Sequence, residues 1–197
     1  MAKSSTSVAG FYFRKNVYGH DQPASQDYII GNSQTLTIGD AVRLNDAGYL
    51  AVCAAGDAVL GILTGIVTKD GVNVFSPRAA GTTGATLTPD DTVLVSSTNQ
   101  SDAARYLKGQ VQLDPAGANL YYNDADGDFA QTNVGQFFDT VAAGDQISQA
   151  TASDTSGQFQ LLVIDPDEDG NLSKGLFRVA EPLLMSYHAN TTAVVEA

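Results

Sequence analysis

The sequence predicts a mainly β protein: a β-barrel or sandwich with an extended N-terminal arm and at most one or two short helices. Three observations predict it. Turn-forming clusters such as "LNDAG", "AAGD", "TKDG", "LDPAG", "NDADGD" and "DPDEDG" recur about every eight to twelve residues, the rhythm of short strands in a sandwich or barrel. The runs between them are rich in Val, Ile, Leu, Thr, Tyr and Phe, which suit a pleated, half-buried surface. Charged residues make up only 16% of the chain, so Thr, Ser, Asn, Gln and Gly must finish the surface, as they do on β proteins. With 197 residues and 43% hydrophobic content the chain is long enough to bury its own core.

Residues 1–30 read as the arm, 31–180 as a β-rich body of one barrel or two packed β units, and 181–197 as a tail with helical and extended options open. In the body, "TLTI" (35–38), "AVRLN" (41–45) and "YLAVCA" (49–54) are the first strands. The last two are joined by a short loop over Asp46, Ala47 and Gly48, where glycine is free to take positive φ. In "AVLGILTGIV" (58–67), Gly61 and Gly65 predict a bend or bulge inside a strand. "VNVF" (72–75) follows a tight turn, and the Gly/Thr-rich stretch 76–91 reads as a long loop. "TVLVSS" (92–97) is a strand, and "SDAARYL" (101–107) is the one helical turn, with Ser101 as its N-cap. Six further strands follow in "GQVQLD", "NLYYN", "GQFFDTV", "DQISQA", "GQFQLLVID" and "GLFRVAE".

Net charge is −12, and such a body repels phosphate backbones, which argues against nucleic-acid partners. The charge is uneven. Residues 1–20 hold Lys3, Arg14 and Lys15 and no acid, whereas 21–197 hold the other seven bases and all 22 acids, a net −15. A cationic segment that also carries Phe11, Tyr12, Phe13 and Tyr18 is too apolar for an idle tail and reads as a docking arm. The longest apolar run, 58–67, is too short to span a bilayer, and "MAKSSTSVAG" has no apolar signal core, so no membrane association is expected. The single cysteine, Cys53, excludes an intrachain disulfide and reads as a buried, inert thiol.

Catalytic constellations are sparse. His20 and His188 stand far apart near the two ends, no G-x-S-x-G elbow or phosphate-binding loop appears, and His and Cys do not cluster as zinc ligands do. Paired carboxylates remain open with 22 acids, but there is no Trp to build a sugar platform. The expectation is a protein that is not an enzyme.

The sharpest motif is "DPDEDGNLS". Asp165, Asp167 and Asp169 take positions 1, 3 and 5 of a calcium loop, with Gly170 at 6 and Ser173 at 9. Position 12, which should be a bidentate glutamate, is Leu176, and the flanks read as strands instead of helices. The favoured reading is a polar hairpin loop and no cofactor, with weak calcium binding as the minor alternative. "NDADGD", with Asp124, Asp126 and Asp128, breaks the calcium register at Gly127 and reads as another loop tip.

Two stretches, "IGDAVRLNDAGYLAVCAAGDAVLGIL" and "GDQISQATASDTSGQFQLLVIDPDEDGNLSKGLFRVAE", resemble the β-barrel head decoration (cement) proteins of tailed bacteriophages. The resemblance covers about three quarters of the chain in style, through short motifs of low specificity. It implies a virion structural protein, made in a host cytoplasm, that binds the major capsid protein on the capsid exterior as a homotrimer. No catalytic residue carries over. In that setting Phe11, Tyr12, Phe13, Arg14, Lys15 and Tyr18 become the candidate capsid contacts. Another virion component, a tail protein or small capsid protein, and a calcium-dependent β-domain adhesin are the alternatives.

Overall fold

The computed structural model describes residues 10–17, 23–31, 34, 36–68, 86–87, 107–114, 116–141, 144–166 and 170–182. Twelve strands run in the order β1 (Tyr12–Asn16), β2 (Ser25–Ile29), β3 (Leu36–Thr37), β4 (Ala41–Leu44), β5 (Leu50–Val52), β6 (Gly61–Thr68), β7 (Thr86–Leu87), β8 (Leu107–Leu113), β9 (Asn119–Asp124), β10 (Phe137–Phe138), β11 (Phe159–Ile164) and β12 (Lys174–Val179). There is no α-helix among the described residues, only 3₁₀ turns at Gln131–Asn133 and Gln149–Thr151. The helical turn expected at 101–107 lies outside the described residues apart from Leu107, which opens β8. The strands expected at 72–75 and 92–97 also lie outside them. "DQISQA" forms no strand. Ile147 makes isolated bridges to Ala125 and Thr140, and Gln149 starts a 3₁₀ turn.

Ten strands form two five-stranded antiparallel sheets. The first has the order β1-β9-β12-β11-β10 and the second β2-β8-β6-β4-β5, while β3 and β7 pair separately. One face of each sheet meets the other in a core of Phe11, Tyr121, Phe129, Phe138, Phe159, Leu161 and Phe177 from the first side with Ala41, Cys53, Val59 and Ile62 from the second. The architecture is a sandwich. The barrel alternative does not hold, although the second sheet comes near it. Its edges meet at a single parallel bridge, Ile30 to Leu50, where Gly31 N–H donates to the Leu50 carbonyl at 2.8 Å. One bridge is not a ladder, so the sheet is curled but not closed. Its concave side encloses a second core of Ile30, Leu36, Val42, Leu50, Leu60, Leu63, Ile66 and Val111.

Local chemistry sets these elements. The β4–β5 loop is held by Asn45, whose Oδ1 accepts from Ala47 and Tyr49 N–H at 3.0 and 2.9 Å, with Gly48 at φ +80. In β6 the pairing to β8 slips between Leu63 and Gly65, the bulge that the two glycines announce.

The N-terminal segment differs most from expectation. Within the expected arm, residues 12–16 and 25–29 pair into the body: β1 with β9 in the first sheet and β2 with β8 in the second. Phe11 is 3% exposed and stacks on Phe159, with centroids 4.3 Å apart and planes 20° apart. The physical reason is the period-2 alternation of "FYFRK", which gives a strand an apolar side to bury. Removing residues 1–25 would therefore take a core aromatic and an edge strand with it, so such a truncation is no clean probe of docking.

Gln158 ties the sandwich together from inside. It is fully buried, its Oε1 accepts from Thr140 N–H at 2.8 Å, and its Nε2 donates to the carbonyls of Ala54 and Asp57 at 2.7 and 2.9 Å.

Candidate functional site

The face of the first sheet turned away from the core is its most distinctive surface. Register fixes which residues lie there. Tyr121, Phe177, Phe159 and Leu161 point into the core, so their neighbours along each strand point out. Tyr12 is opposite Tyr122, Tyr122 opposite Leu176, and Leu176 opposite Val163. These four make one apolar row across β1, β9, β12 and β11. Three large apolar side chains stand well exposed among the described residues: Tyr12 at 40%, Val17 at 52% and Val163 at 52%. Two are in this row, and alternation past Asn16 puts Val17 on the same side.

Cations flank the row. In the next register Lys15 is opposite Leu120, Leu120 opposite Arg178, and Arg178 opposite Gln160. Leu120 faces away from the core yet is only 6% exposed, as expected when the stems of Lys15 and Arg178 lie over it. Arg178 Nε donates to Gln160 Oε1 at 2.8 Å, and Gln160 Nε2 donates to the Gly135 carbonyl at 2.7 Å. That chain of bonds holds the guanidinium in place and leaves its terminal amino groups without a partner among the described residues. Arg14, exposed, sits at the bulge between Phe13 and Lys15. On the other flank Lys174 is opposite Asp124. Six of the ten bases lie among the described residues, and four of these, Arg14, Lys15, Lys174 and Arg178, are on β1 and β12. By contrast Arg43, on β4, lies with its Nε 2.8 Å from an Asp57 carboxylate oxygen, an ion pair whose N–H is poorly aligned.

The six candidate contact residues therefore separate. Phe11 and Phe13 belong to the core, where Phe13 meets Tyr121 edge-on at 6.3 Å. Tyr12, Arg14 and Lys15 are on or beside the outer face, and Tyr18 lies outside the described residues. Tyr122, Val163, Leu176, Lys174 and Arg178 join them without having been singled out in the sequence. The signal was present in "KGLFRV", whose alternate residues Lys174, Leu176 and Arg178 form one side of a strand.

The acidic motif lies at the tip of a hairpin. β11 and β12 pair antiparallel up to Ile164 and Gly175, and Asp165 N–H donates to the Lys174 carbonyl at 2.9 Å. Gly170 has φ +81. Asp167 and Asp169 lie outside the described residues. In "NDADGD", Asp126 Oδ1 accepts from Gln149 N–H at 2.7 Å and its Oδ2 from the Ser148 hydroxyl at 3.2 Å, so it holds the turn at Gln149–Thr151.

Two buried acids are structural. Asp114 accepts from Ala118 N–H at 2.7 Å and from Asn119 N–H at 3.2 Å, closing the turn into β9, and burial pushes its carboxyl up to about 6 against those bonds. Asp40 accepts from Thr37 N–H at 2.6 Å, but its Oδ1 has no partner among the described residues. Burial pushes its carboxyl up to about 8, opposed by the Thr37 bond and assisted by the charge of Asp145. Burial likewise raises the Cys53 thiol, which leaves it protonated and poor as a nucleophile. A hollow beside Tyr12, lined by Tyr122, Asn123, Asp124 and Lys174, measures about 30 Å³, room for a water and not for a metabolite.

Compared with protein-family models, curated proteins and solved structures, the chain matches none.

Proposed function

We propose that this chain is a non-enzymatic virion structural protein: a decoration protein that binds the exterior of a bacteriophage capsid and braces it, as a homotrimer, with the major capsid protein as its partner. The reading rests on the motif resemblance in "IGDAVRLNDAGYLAVCAAGDAVLGIL". The structural observation that supports it is the outer face of the first sheet, with its row Tyr12–Tyr122–Leu176–Val163 and its cationic flank. A rigid two-sheet body with one apolar, charged-rimmed face suits a protein that works by lying on another protein. Among the described residues, the groups with shifted proton affinity, Asp40, Asp114, Tyr121 and Cys53, are all buried in the fold and none lies on that face, so they supply no reaction there.

The test uses the full chain and capsids assembled from the major capsid protein of the same genome. Co-sedimentation should show saturable binding to assembled capsids, and electron microscopy should place the added density outside the shell. Bound capsids should also resist heating better than bare ones, by linkage. Absence of binding to capsids, together with binding to isolated tails, would replace this reading with a tail component.

A further inference from the structure

We infer that the outer face of the first sheet recognises an acidic protein surface: carboxylates arranged around a small apolar contact. The inference rests on the decoration reading and names the chemistry its partner must present.

The argument begins with a contrast of charge within one molecule. The chain carries −12 overall, yet this face gathers Arg14, Lys15, Lys174 and Arg178, with the acids Asp124 and Asp165 on either side of Lys174 alone. Arg14, Lys15 and Arg178 make no ion pair with a carboxylate among the described residues. Arg178 is also preset, because Gln160 fixes its Nε at 2.8 Å and is itself fixed by Gly135. A guanidinium held in this way offers two donors in a fixed plane, the geometry that a carboxylate accepts. The row of Tyr12, Tyr122, Leu176 and Val163 beside it supplies area that gains by leaving water. An apolar centre with a charged rim is the common anatomy of a protein interface.

Other occupants fit worse. Nucleic acid would meet four cations on a body of −12, and the middle of the face is aliphatic at Leu176 and Val163 instead of a stacking platform. A second copy meeting the face about a two-fold axis would set this same cationic face against itself. An acidic protein surface answers both parts of the face at once.

The experiment measures binding of the full chain to capsids of the same genome's major capsid protein, in low and high sodium chloride. Two variants lose the same net charge. Lys15→Gln with Arg178→Gln removes two positive charges from the face, and Ala47→Glu with Ala55→Glu adds two negative ones at exposed loop positions on either side of β5. The first pair should weaken binding about tenfold at low salt and much less at high salt, while the second pair should bind like wild type. Amidation of the capsid carboxylates should weaken wild-type binding to the level of the glutamine pair. Equal binding by wild type and the glutamine pair, or full binding to amidated capsids, overturns the inference while leaving the decoration reading intact. Face-dependent binding to duplex DNA or to vesicles of phosphatidylserine, at the strength seen for capsids, also overturns it. A wild-type chain that ignores intact capsids overturns the decoration reading and this inference with it.

Discussion

The two cores of this molecule are built from different residues. The core between the sheets is aromatic, with Phe11, Tyr121, Phe129, Phe138, Phe159 and Phe177. The buried core inside the curled second sheet is aliphatic, made of Ile30, Leu36, Val42, Leu50, Leu60, Leu63, Ile66 and Val111, with Tyr28 packed against it from a partly exposed position. Geometry explains the division. Two sheets packed face to face stand about 10 Å apart, a gap that rings from the first sheet can span against the smaller Ala41, Cys53, Val59 and Ile62 of the second. Here the rings meet edge-to-face and stacked: Phe129 on Phe138 at 5.3 Å and 73°, Phe11 on Phe159 at 4.3 Å and 20°. A five-stranded sheet curled almost onto itself has less room. It takes branched aliphatics, and at Gly109 it takes no side chain at all. One chain thus solves the same burial problem twice, with large flat groups where the layers are open and small ones where the sheet bends.

The aromatic core should be the more sensitive to truncation. Phe11→Ala removes a stacked, buried ring from the strand at the sheet edge, and should cost about 3–5 kcal/mol in a urea-unfolding measurement. A cost under about 1 kcal/mol would mean that β1 adds little to the fold and would restore the picture of a separable arm.

The aliphatic core should be the more sensitive to enlargement. A Cβ at Gly109 would collide with Leu50 Cδ2 and stand 2.9 Å from Leu63 Cδ1, and both leucines are fully buried. Gly109→Ala should therefore cost about 1–3 kcal/mol. The same substitution made in a Leu50→Ala background should cost clearly less, because the room it needs has been made. Additive costs would show that the clash is relieved elsewhere, and that the curled core is looser than its contacts indicate.

The division between the cores was only partly legible in the sequence. Turn spacing and β-rich runs predict strands at 41–45, 49–54 and 157–165, and the structure has β4, β5 and β11 there. These signals are local. The alternation in "FYFRK" is local too, and reading it at period 2 would have sent Phe11 and Phe13 inward and left Tyr12 and Lys15 outside. What no local pattern carries is partnership at a distance. Phe11 meets Phe159, and Tyr12 pairs with Tyr122, across more than a hundred residues of chain. The outer face exists only once β1, β9, β12 and β11 are laid side by side, so its row and its cationic flank were invisible as a unit. Its members were scattered among segments that each looked ordinary.

Asp40 lies where the two cores join, and it should produce the gentlest effect, a slope with pH. Its neighbours knit the layers. Phe11 N–H donates to the Gly39 carbonyl and Leu63 N–H to that of Asp40, at 2.8 and 2.9 Å. The groups that act on its charge are Thr37 N–H, which favours the carboxylate, and Asp145, which disfavours it; burial outweighs both. With the carboxyl moved from 3.8 in the unfolded chain to about 8 in the fold, the native state holds a proton that the unfolded state lacks between those values. Stability from this group is complete below about pH 4 and is lost as pH rises towards 8, by at most about 1.4 kcal/mol per pH unit. Asp114, raised to about 6, adds a slope of the same sign that ends near pH 6. Among the described groups, the window from 6 to 8 therefore isolates Asp40. Asn at this position keeps an oxygen for Thr37 N–H and is neutral throughout, so Asp40→Asn should flatten the fall of the urea midpoint in that window and reduce the fall between pH 4 and 6 to the part that Asp114 supplies. Parallel curves for the two proteins from pH 6 to 8 would mean that the carboxyl reaches solvent, and that the joint between the cores is wetter and looser than either core.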